Sequence, residues 1–425
     1  MRRLRFLMLT TFYPPYSFGG DGIGIQRLSQ GLVKRGHHVT VLHDADAYEL
    51  LRDRSAPAPV ARPVDDGVDI VTLRTKVPLA STLLTQQIGR PVVNGGRIRK
   101  LVRAGGYDVI NFHNVSLLGG PGLFRMSSDA VTLYMAHEHW LVCPMHVLWR
   151  HGRELCTGKQ CLRCSIAHRR PPQLWRYTGY LEREIQGVDS VIAMSEFSRE
   201  KHREFGFERE MEVLPYFLPD ADAAAAPRPA GPPPHGRPYF LFVGRLERIK
   251  GLDDVIPVFR EFTDADLLIA GTGTHEDHLR ELAKGMSNVV FLGRLDPASL
   301  SRFYAHAHAS IVPSECFETF GIVLIESFRQ GTPVIARRLG PFPEIVQSSG
   351  GGELFSDRQE LLSAMHRIAS DAAHRSALSN RAFRGYVERW SESVVVPKYL
   401  DIVRRAAERR GHRRVADALQ TAEAQ

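Results

Sequence analysis

The sequence predicts an α/β protein built from two doubly wound parallel-sheet units facing a central cleft. Three observations carry this. Short apolar runs alternate with stretches of helical periodicity along nearly the whole chain, the pattern of strands covered by helices on both faces. The alternation stops at DADAAAAPRPAGPPPHGRP, which has little to pack, and then restarts. The glycine-rich and charged stretches fall just after the apolar runs, where open α/β sheets bind ligands.

The elements follow in order. LRFLMLTTF reads as a buried strand, residues 25–35 as a helix closed by Gly36, and HHVTVLH as the next strand. VDIVTL, YDVINFH, AVTLYMAH and SVIAMS continue the first sheet. After the linker, YFLFVGR, ADLLIAG, NVVFLG, ASIVP and TPVIA form the second. The expected domains are 1–217, a linker at 218–238, 239–388, and a C-terminal segment 389–425 whose helix crosses back to the first domain and ends in a basic tail.

The bulk properties narrow the class. The chain has 425 residues, 43% hydrophobic and 24% charged, with a formal net charge of +8. That is an ordinary globular composition with room for a core, and the positive balance favours anionic partners. MRRLRFLMLTTFYPP imitates a signal peptide, but Arg5 interrupts the apolar run and no small-residue cleavage site follows. No apolar run is long enough to span a bilayer. A cytoplasmic protein with reduced or metal-bound cysteines is therefore expected.

Chemistry is sought at the strand exits. After the first strand, FYPPYSFGGDGIGIQ is glycine-rich and leads into a helix, so backbone N–H groups and a helix N-terminus can approach an anion. It lacks the dinucleotide fingerprint and equally fits a flexible loop. After the strand at 239–243, GRLERIKGL places Arg245 and Lys250 five apart, a pair of cations suited to a diphosphate, or simply a solvated charge pair. The stretch SECFETFGIVLIESFRQGTPVIA holds Glu318 and Glu326 in otherwise apolar surroundings, where a carboxylate is costly unless paired or useful. With a helix beginning near Thr319 or Phe320, eight residues would separate them by about 12 Å. A glycosidase pair needs roughly 5–9.5 Å. The two glutamates therefore read as two contacts along one elongated ligand. The amides of Thr319, Phe320 and Gly321 are expected as donors at the helix start.

These motifs together resemble the retaining GT-B glycosyltransferases of the glycogen-synthase-like family 4, whose E-x7-E signature is similar to the Glu318–Glu326 stretch. FVGRLERIKGL, LLIAGTGTHEDHLRELA, VVFLGRL and PFPEIV occur in the family's order. In the first half YPPYSFGG, LVKRGHHVTVL, VDSVIAMSEFSR and EVLPYF match more loosely. The resemblance implies two Rossmann-like domains and a nucleotide-sugar donor held mainly by the second. Glu326 would bond the ribose hydroxyls. Arg245 and Lys250 would hold the diphosphate. Glu318, with the Phe320–Gly321 backbone, would contact the sugar, and the backbone near Arg294 would border the base. Gly19 and Gly20 would face the donor phosphates, and His137 would approach the sugar. Catalytic roles fall to Glu318, His137, Arg245 and Lys250, with no cofactor required for catalysis. Two departures from the family pattern are His137-Glu138 where His-Asp is usual, and Gly340-Pro341 where Gly-Gly is usual. The acceptor would be a hydroxyl of a glycan, a lipid-linked sugar or a small molecule. A sugar-nucleotide epimerase or hydrolase, or a non-catalytic nucleotide binder, are the rival readings.

Other motifs carry less. Asp-Ala-Asp occurs at 44–46, 220–222 and 264–266 and reads as coincidence in an Ala/Asp-rich chain. Cys143, Cys156, Cys161 and Cys164 have the spacing C-x12-C-x4-C-x2-C and read as a structural Zn²⁺ site, with free thiols or a disulfide as alternatives. Cys316 reads as packing. His113 lines an acceptor pocket or is structural, and Trp140 and Trp149 stack on sugar or are simply buried. The basic tail 403–414 is a solvated helix end or a contact to an anionic membrane, with LRTKVPLASTLLTQQIGR and GGRIRKLVR adding basic and apolar character. Peripheral attachment at the inner membrane face follows from the second reading. No nucleic-acid module is visible, and no nucleic-acid partner is expected.

Overall fold

The computed structural model describes residues 3–52, 67–126, 129–221 and 231–423, without the side chains of 421–423. Asp222, and with it the third residue of one Asp-Ala-Asp copy, lies outside the described residues, as does most of the Pro/Ala linker. The chain divides into two compact units. The first comprises Met1–Ser195, Arg199–Pro215 and Val395–Gln425; the second comprises Glu196–Ser198 and Tyr216–Val394.

The first unit is built on strands β1 (Arg5–Leu9), β2 (His38–Asp44), β3 (Val68–Leu73), β4 (Val109–Phe112) and β5 (Val131–Ala136). A small antiparallel pair follows, β6 (Trp149–Arg150) and β7 (Glu154–Leu155), and then β8 (Ser190–Ala193) and β9 (Glu212–Val213). The large sheet runs β3-β2-β1-β4-β5-β8-β9, with parallel pairing throughout. Its central strands are apolar without alternation because both faces are covered: Phe6, Leu7, Met8 and Leu9 are all at most 1% exposed.

The second unit repeats the plan with β10 (Tyr239–Val243), β11 (Asp266–Ala270), β12 (Val289–Gly293), β13 (Ser310–Val312), β14 (Val334–Arg337) and β15 (Gly352–Phe355). The order is β12-β11-β10-β13-β14-β15, again parallel. In both sheets the order reverses beside the first strand, between β1 and β4 and between β10 and β13. Such switch points are where open α/β sheets leave a crevice at the carboxyl ends.

The C-terminal helices Glu392–Arg410 and Arg413–Glu423 show where the basic tail goes. Tyr399 is buried and accepts a hydrogen bond from Asn111 Nδ2 at 3.2 Å, in the first unit's sheet. Arg405 pairs with Glu212, Arg410 with Asp189 and Arg414 with Asp108. These arginines clamp the tail to the first unit, which favours the structural reading of the tail over the membrane one.

Candidate functional site

At the exit of β10 the chain turns through Gly244 and Arg245 into a short 3-10 turn, Arg248–Lys250. Gly251 then takes φ 72°, and a Cβ there would meet the Pro313 carbonyl oxygen at 2.2 Å. Only glycine lets this turn press against the end of β13. The closeness delivers Lys250 to Glu318, whose Oε1 accepts from Lys250 Nζ at 2.5 Å and from Ser314 Oγ at 3.1 Å. Burial opposes charge on both groups. Lys250's attraction and hydrogen bond, with Ser314's hydrogen bond, nonetheless hold the Glu318 carboxyl below its ordinary range. Burial likewise works against Lys250, but Glu318 and the Cys316 thiol hold it above the ordinary lysine range. Arg245 pairs with Glu247 at 2.7 Å and is near enough to act on both charges. The second switch point thus carries a fixed, half-buried ion pair with a third charge beside it.

The helix after β13 spans Ile322–Arg329, starting two or three residues later than the sequence suggests. Gly321 stands at its N-cap with φ 105°, and a Cβ there would meet the Phe342 ring at 2.7 Å, so residues 318–320 approach as a loop. The expected 12 Å separation of Glu318 and Glu326 therefore loses its helical basis, because Glu318 is not on the helix. Glu326 is on it, and its Oε2 lies 3.4 Å from the hydroxyl of the buried Tyr304. Phe320 is buried, 2% exposed, with its ring against Tyr216. Arg294 is exposed just beyond β12. Cys316 is buried, and burial pushes its thiol up to about 12. Glu344 of PFPEIV accepts from the amides of Glu196 and Phe197, each at 3.1 Å.

The first unit's switch point is built differently. Gly19 is the N-cap of the helix Gly20–Lys34, and a Cβ on Gly22 would meet Ser17 Oγ at 2.3 Å, so the glycine-rich turn is tightly folded. Just beyond β4 and β5, His113 Nδ1 and His137 Nε2 lie 2.8 Å apart with their rings stacked. Burial holds His137 down to about 3 and, with His137 beside it, holds His113 well below the ordinary histidine range. His113 Nε2 lies 3.4 Å from Met8 Sδ, an atom that can only accept. His113 then carries its hydrogen on Nε2, and His137 donates from Nε2 to His113 Nδ1. The unusual Glu138 has its Oε1 2.8 Å from His146 Nδ1. Trp140 and Trp149 are buried, so neither offers a sugar-stacking face.

The four cysteines all line one small cavity of about 20 Å³. Cys161 and Cys164 sit on the helix Cys161–Ala167, and the amide of His151 donates to Cys164 Sγ at 3.3 Å. Burial pushes the Cys143 thiol up to about 11, against the backbone amides of Leu148 and Met145 that bond it. Their sulfurs are not drawn together as a ligand group. Among the described residues, the one group of three such atoms all within 4.8 Å is Asp253, His275 and His278.

A larger cavity of about 470 Å³ in the first unit is lined by Arg90, Arg99, Arg103 and Arg125 with apolar residues such as Ile88 and Val92. The neighbouring helix Pro78–Ile88 exposes Leu79, Leu83 and Leu84. No helix among the described residues is long and apolar enough to cross a membrane. Of the Asp-Ala-Asp copies, Asp44 caps a helix and Asp266 pairs with Arg237 and His235, both structural tasks.

Two sheets of this order and the motifs at their strand ends define a two-domain α/β enzyme of the GT-B type. The family described as Glycosyltransferase Family 4 matches residues 18–220, and that described as Glycosyl transferases group 1 matches 225–384. An uncharacterized glycosyltransferase of Methanocaldococcus jannaschii is 31% identical over 450 residues, covering 96% of this chain and all of the relative. A phosphatidyl-myo-inositol mannosyltransferase of Mycolicibacterium smegmatis is 27% identical over 391 residues, covering 89% of this chain and 87% of the relative. Among solved structures, a sucrose-phosphate synthase from Thermosynechococcus elongatus superposes with TM-score 0.68 at 20% identity, covering 95% of this chain and 99% of the neighbour. The Anabaena protein HepE in complex with UDP does so with TM-score 0.64 at 16% identity, covering 94% and 99%. The chain belongs to the family 4 glycosyltransferases.

Proposed function

We propose that the chain is a retaining glycosyltransferase that moves a sugar from a nucleotide-diphosphate donor to a hydroxyl acceptor. The observation that carries this is the Lys250–Glu318 pair with Arg245 beside it at the second unit's switch point. Cleaving the donor breaks the bond from the anomeric carbon to the diphosphate, and negative charge grows on the departing oxygen. Arg245 and Lys250 stabilise that charge from fixed positions. The acceptor oxygen bonds the anomeric carbon on the same face, and its proton passes to the leaving phosphate. Glu318, with the Phe320–Gly321 backbone, holds the sugar; Glu326 holds the ribose; the backbone at Arg294 borders the base. Gly19 and Gly20 serve the phosphates and His137 the sugar. The UDP bound by HepE makes uridine the first base to try.

The four cysteines are the candidate ligands of a structural Zn²⁺ ion: they share a cavity and backbone amides aim at two of the sulfurs, and the sulfurs, apart in the structure, would have to close on the ion. The acceptor is lipid-linked and the protein docks peripherally on the cytoplasmic face of an anionic membrane. Support comes from the phosphatidyl-inositol-directed relative and from the exposed leucines beside the arginine-lined cavity.

Thermal shift against UDP, GDP, ADP, TDP and their sugars tests the donor reading, with Glu326→Ala as control. A nucleotide at 100 times its Kd adds about 2.7 kcal/mol of stability. A shift lost in the variant supports the assignment, and no shift from folded protein with any nucleotide overturns it.

A further inference from the structure

Away from the ion pair, the second unit places two imidazoles on one carboxylate. Asp253 lies in the short helix Leu252–Val255, three residues beyond Lys250. His275 is the N-cap of the helix Glu276–Leu282, and His278 lies in its first turn. His275 Nε2 is 2.9 and 3.1 Å from the two Asp253 oxygens, and His278 Nε2 is 2.9 Å from Oδ1. The two rings stack at 4.6 Å. Three ligand atoms, two nitrogens and an oxygen, thus converge within 4.8 Å.

Asp254, Glu276 and Asp277 flank the trio in sequence, the first two paired with Arg337 and Arg280. Burial, together with Asp254 and Asp253, holds the nearby Glu315 carboxyl above its ordinary range against the pull of Arg337. Two ligands at about 2.0–2.1 Å from one tetrahedral ion sit ~3.3 Å apart, so these contacts need open by only a few tenths of an ångström to admit one. His278 is more than half exposed, which gives the ion a way in and leaves room for water to complete its shell.

We propose that Asp253, His275 and His278 form a binding site for a borderline divalent cation, Zn²⁺ or Co²⁺ in class, that ties the loop after β10 to the loop after β11. Two imidazoles and a carboxylate suit such ions better than Mg²⁺ or Ca²⁺, which take all-oxygen shells. The site does not depend on the transferase reading.

The test is Co²⁺ titration of chelator-stripped, full-length protein, followed by visible absorption. The expected result is one equivalent whose ligand-field bands appear without thiolate-to-cobalt charge transfer, separate from any equivalent that the cysteines take up, and displaced by Zn²⁺. The absence of charge transfer separates this ion from any held by the cysteines, and Cys161→Ser leaves the signal in place. His278→Gln, at an exposed position that does not threaten folding, weakens binding by more than the ~10–100-fold that losing an orienting partner costs. Asp253→Asn does the same. Unchanged cobalt affinity in His278→Gln and Asp253→Asn overturns the proposal, as does a wild-type protein whose only cobalt signal is the thiolate one.

Discussion

The two units share a strand plan but prepare their switch points in opposite ways. The second holds permanent charges there: Lys250 bonded to Glu318, with Arg245 near both. The first holds a neutral pair, His113 and His137, sunk so deep that burial keeps both uncharged at neutral pH. The same topology can therefore present a charge-binding end or a charge-free polar one. What differs is whether the group facing each ionisable side chain is a counter-ion or another neutral ring. A leaving diphosphate needs the first kind; a hydroxyl acceptor or a sugar needs only oriented hydrogen bonds, which the second kind supplies.

Removing the charge is the harshest way to break this comparison. Lys250→Ala takes away the cation proposed to face the phosphate and leaves the Glu318 carboxylate with Ser314 as hydrogen-bond donor and Arg245 as the nearby charge. We expect kcat/KM to fall by about 10²–10³-fold or more, the scale for losing one preorganised stabilising donor. Steady-state kinetics with the donor identified by thermal shift measures it, and near-wild-type turnover would remove the ion pair from the mechanism. The two glutamates then separate binding from chemistry. Glu326→Ala should weaken nucleotide binding by ~1.5–3 kcal/mol, the worth of a charged hydrogen bond. Glu318→Ala should depress kcat more than nucleotide affinity. Calorimetry and kinetics on both variants decide, and equal effects on both quantities in both variants contradict the division of labour.

Acid sharpens the contrast at the level of whole units. In the first, burial holds His37 and His43 down to about 4 and His137 down to about 3, with His113 also lowered. A histidine lowered on folding contributes stability that is present above about 6.5 and lost as pH falls toward its folded value. For His37 and His43 that contribution is on the order of 3 kcal/mol each over the window. The second unit has His308, held down to about 4 by burial, and His306, lowered to a lesser degree. Its ion pair is sensitive only at lower pH, because Glu318 is depressed and its contribution is lost below about 4.5. The first unit should therefore loosen earlier on acidification. Trp140, Trp149 and Trp175 lie in it and Trp390 in the second, so tryptophan fluorescence should change before the bulk of the far-ultraviolet dichroism. Coincident transitions would contradict the asymmetry.

The strands were legible because both faces of a parallel strand are buried, which leaves an unbroken apolar run such as FLML or LLIA. Gly352–Phe355 was not: it is an edge strand, half exposed, and Glu353 interrupts it. The helix after β13 was misplaced because Gly321 breaks it from within a helix-prone run, and the reason for that glycine is Phe342, twenty-one residues on. The charged residues of the site could be named from the strand exits, but the bond between Lys250 and Glu318 spans 68 positions and has no local signature. Ser314 was visible four residues before Glu318, and only the turn that brings its hydroxyl to the carboxylate makes it a partner. The partner of Glu138 is likewise set by the fold, since His146 reaches it through a turn in which His146 itself has φ 72°.

The smallest effect concerns two helix caps and separates charge from hydrogen bonding in the same way. Asp296 in the second unit is exposed and accepts from the amides of Ala298 and Ser299. Asp44 in the first is 3% exposed and does the same for Asp46 and Ala47. At the exposed cap the charge is solvated, so Asp296→Ala should cost about 0.5–2 kcal/mol, the usual worth of the cap. At the buried one, burial pushes the carboxyl up to about 6, against the amide bonds from Ala47 and Asp46 that favour its charge. A raised carboxyl stabilises the fold at low pH and loses that contribution as pH rises from about 3.8 through 6, so at neutral pH Asp44 bears an unfavourable charge while its oxygen still caps. Asparagine caps as well as aspartate and carries no charge. Asp44→Asn should therefore be neutral or stabilising at pH 8 and lose that advantage at pH 4, a sign change that urea unfolding at the two values would resolve. If Asp44→Asn destabilises equally at both, the cap there depends on geometry that the amide cannot reproduce, and charge is not what distinguishes the two caps.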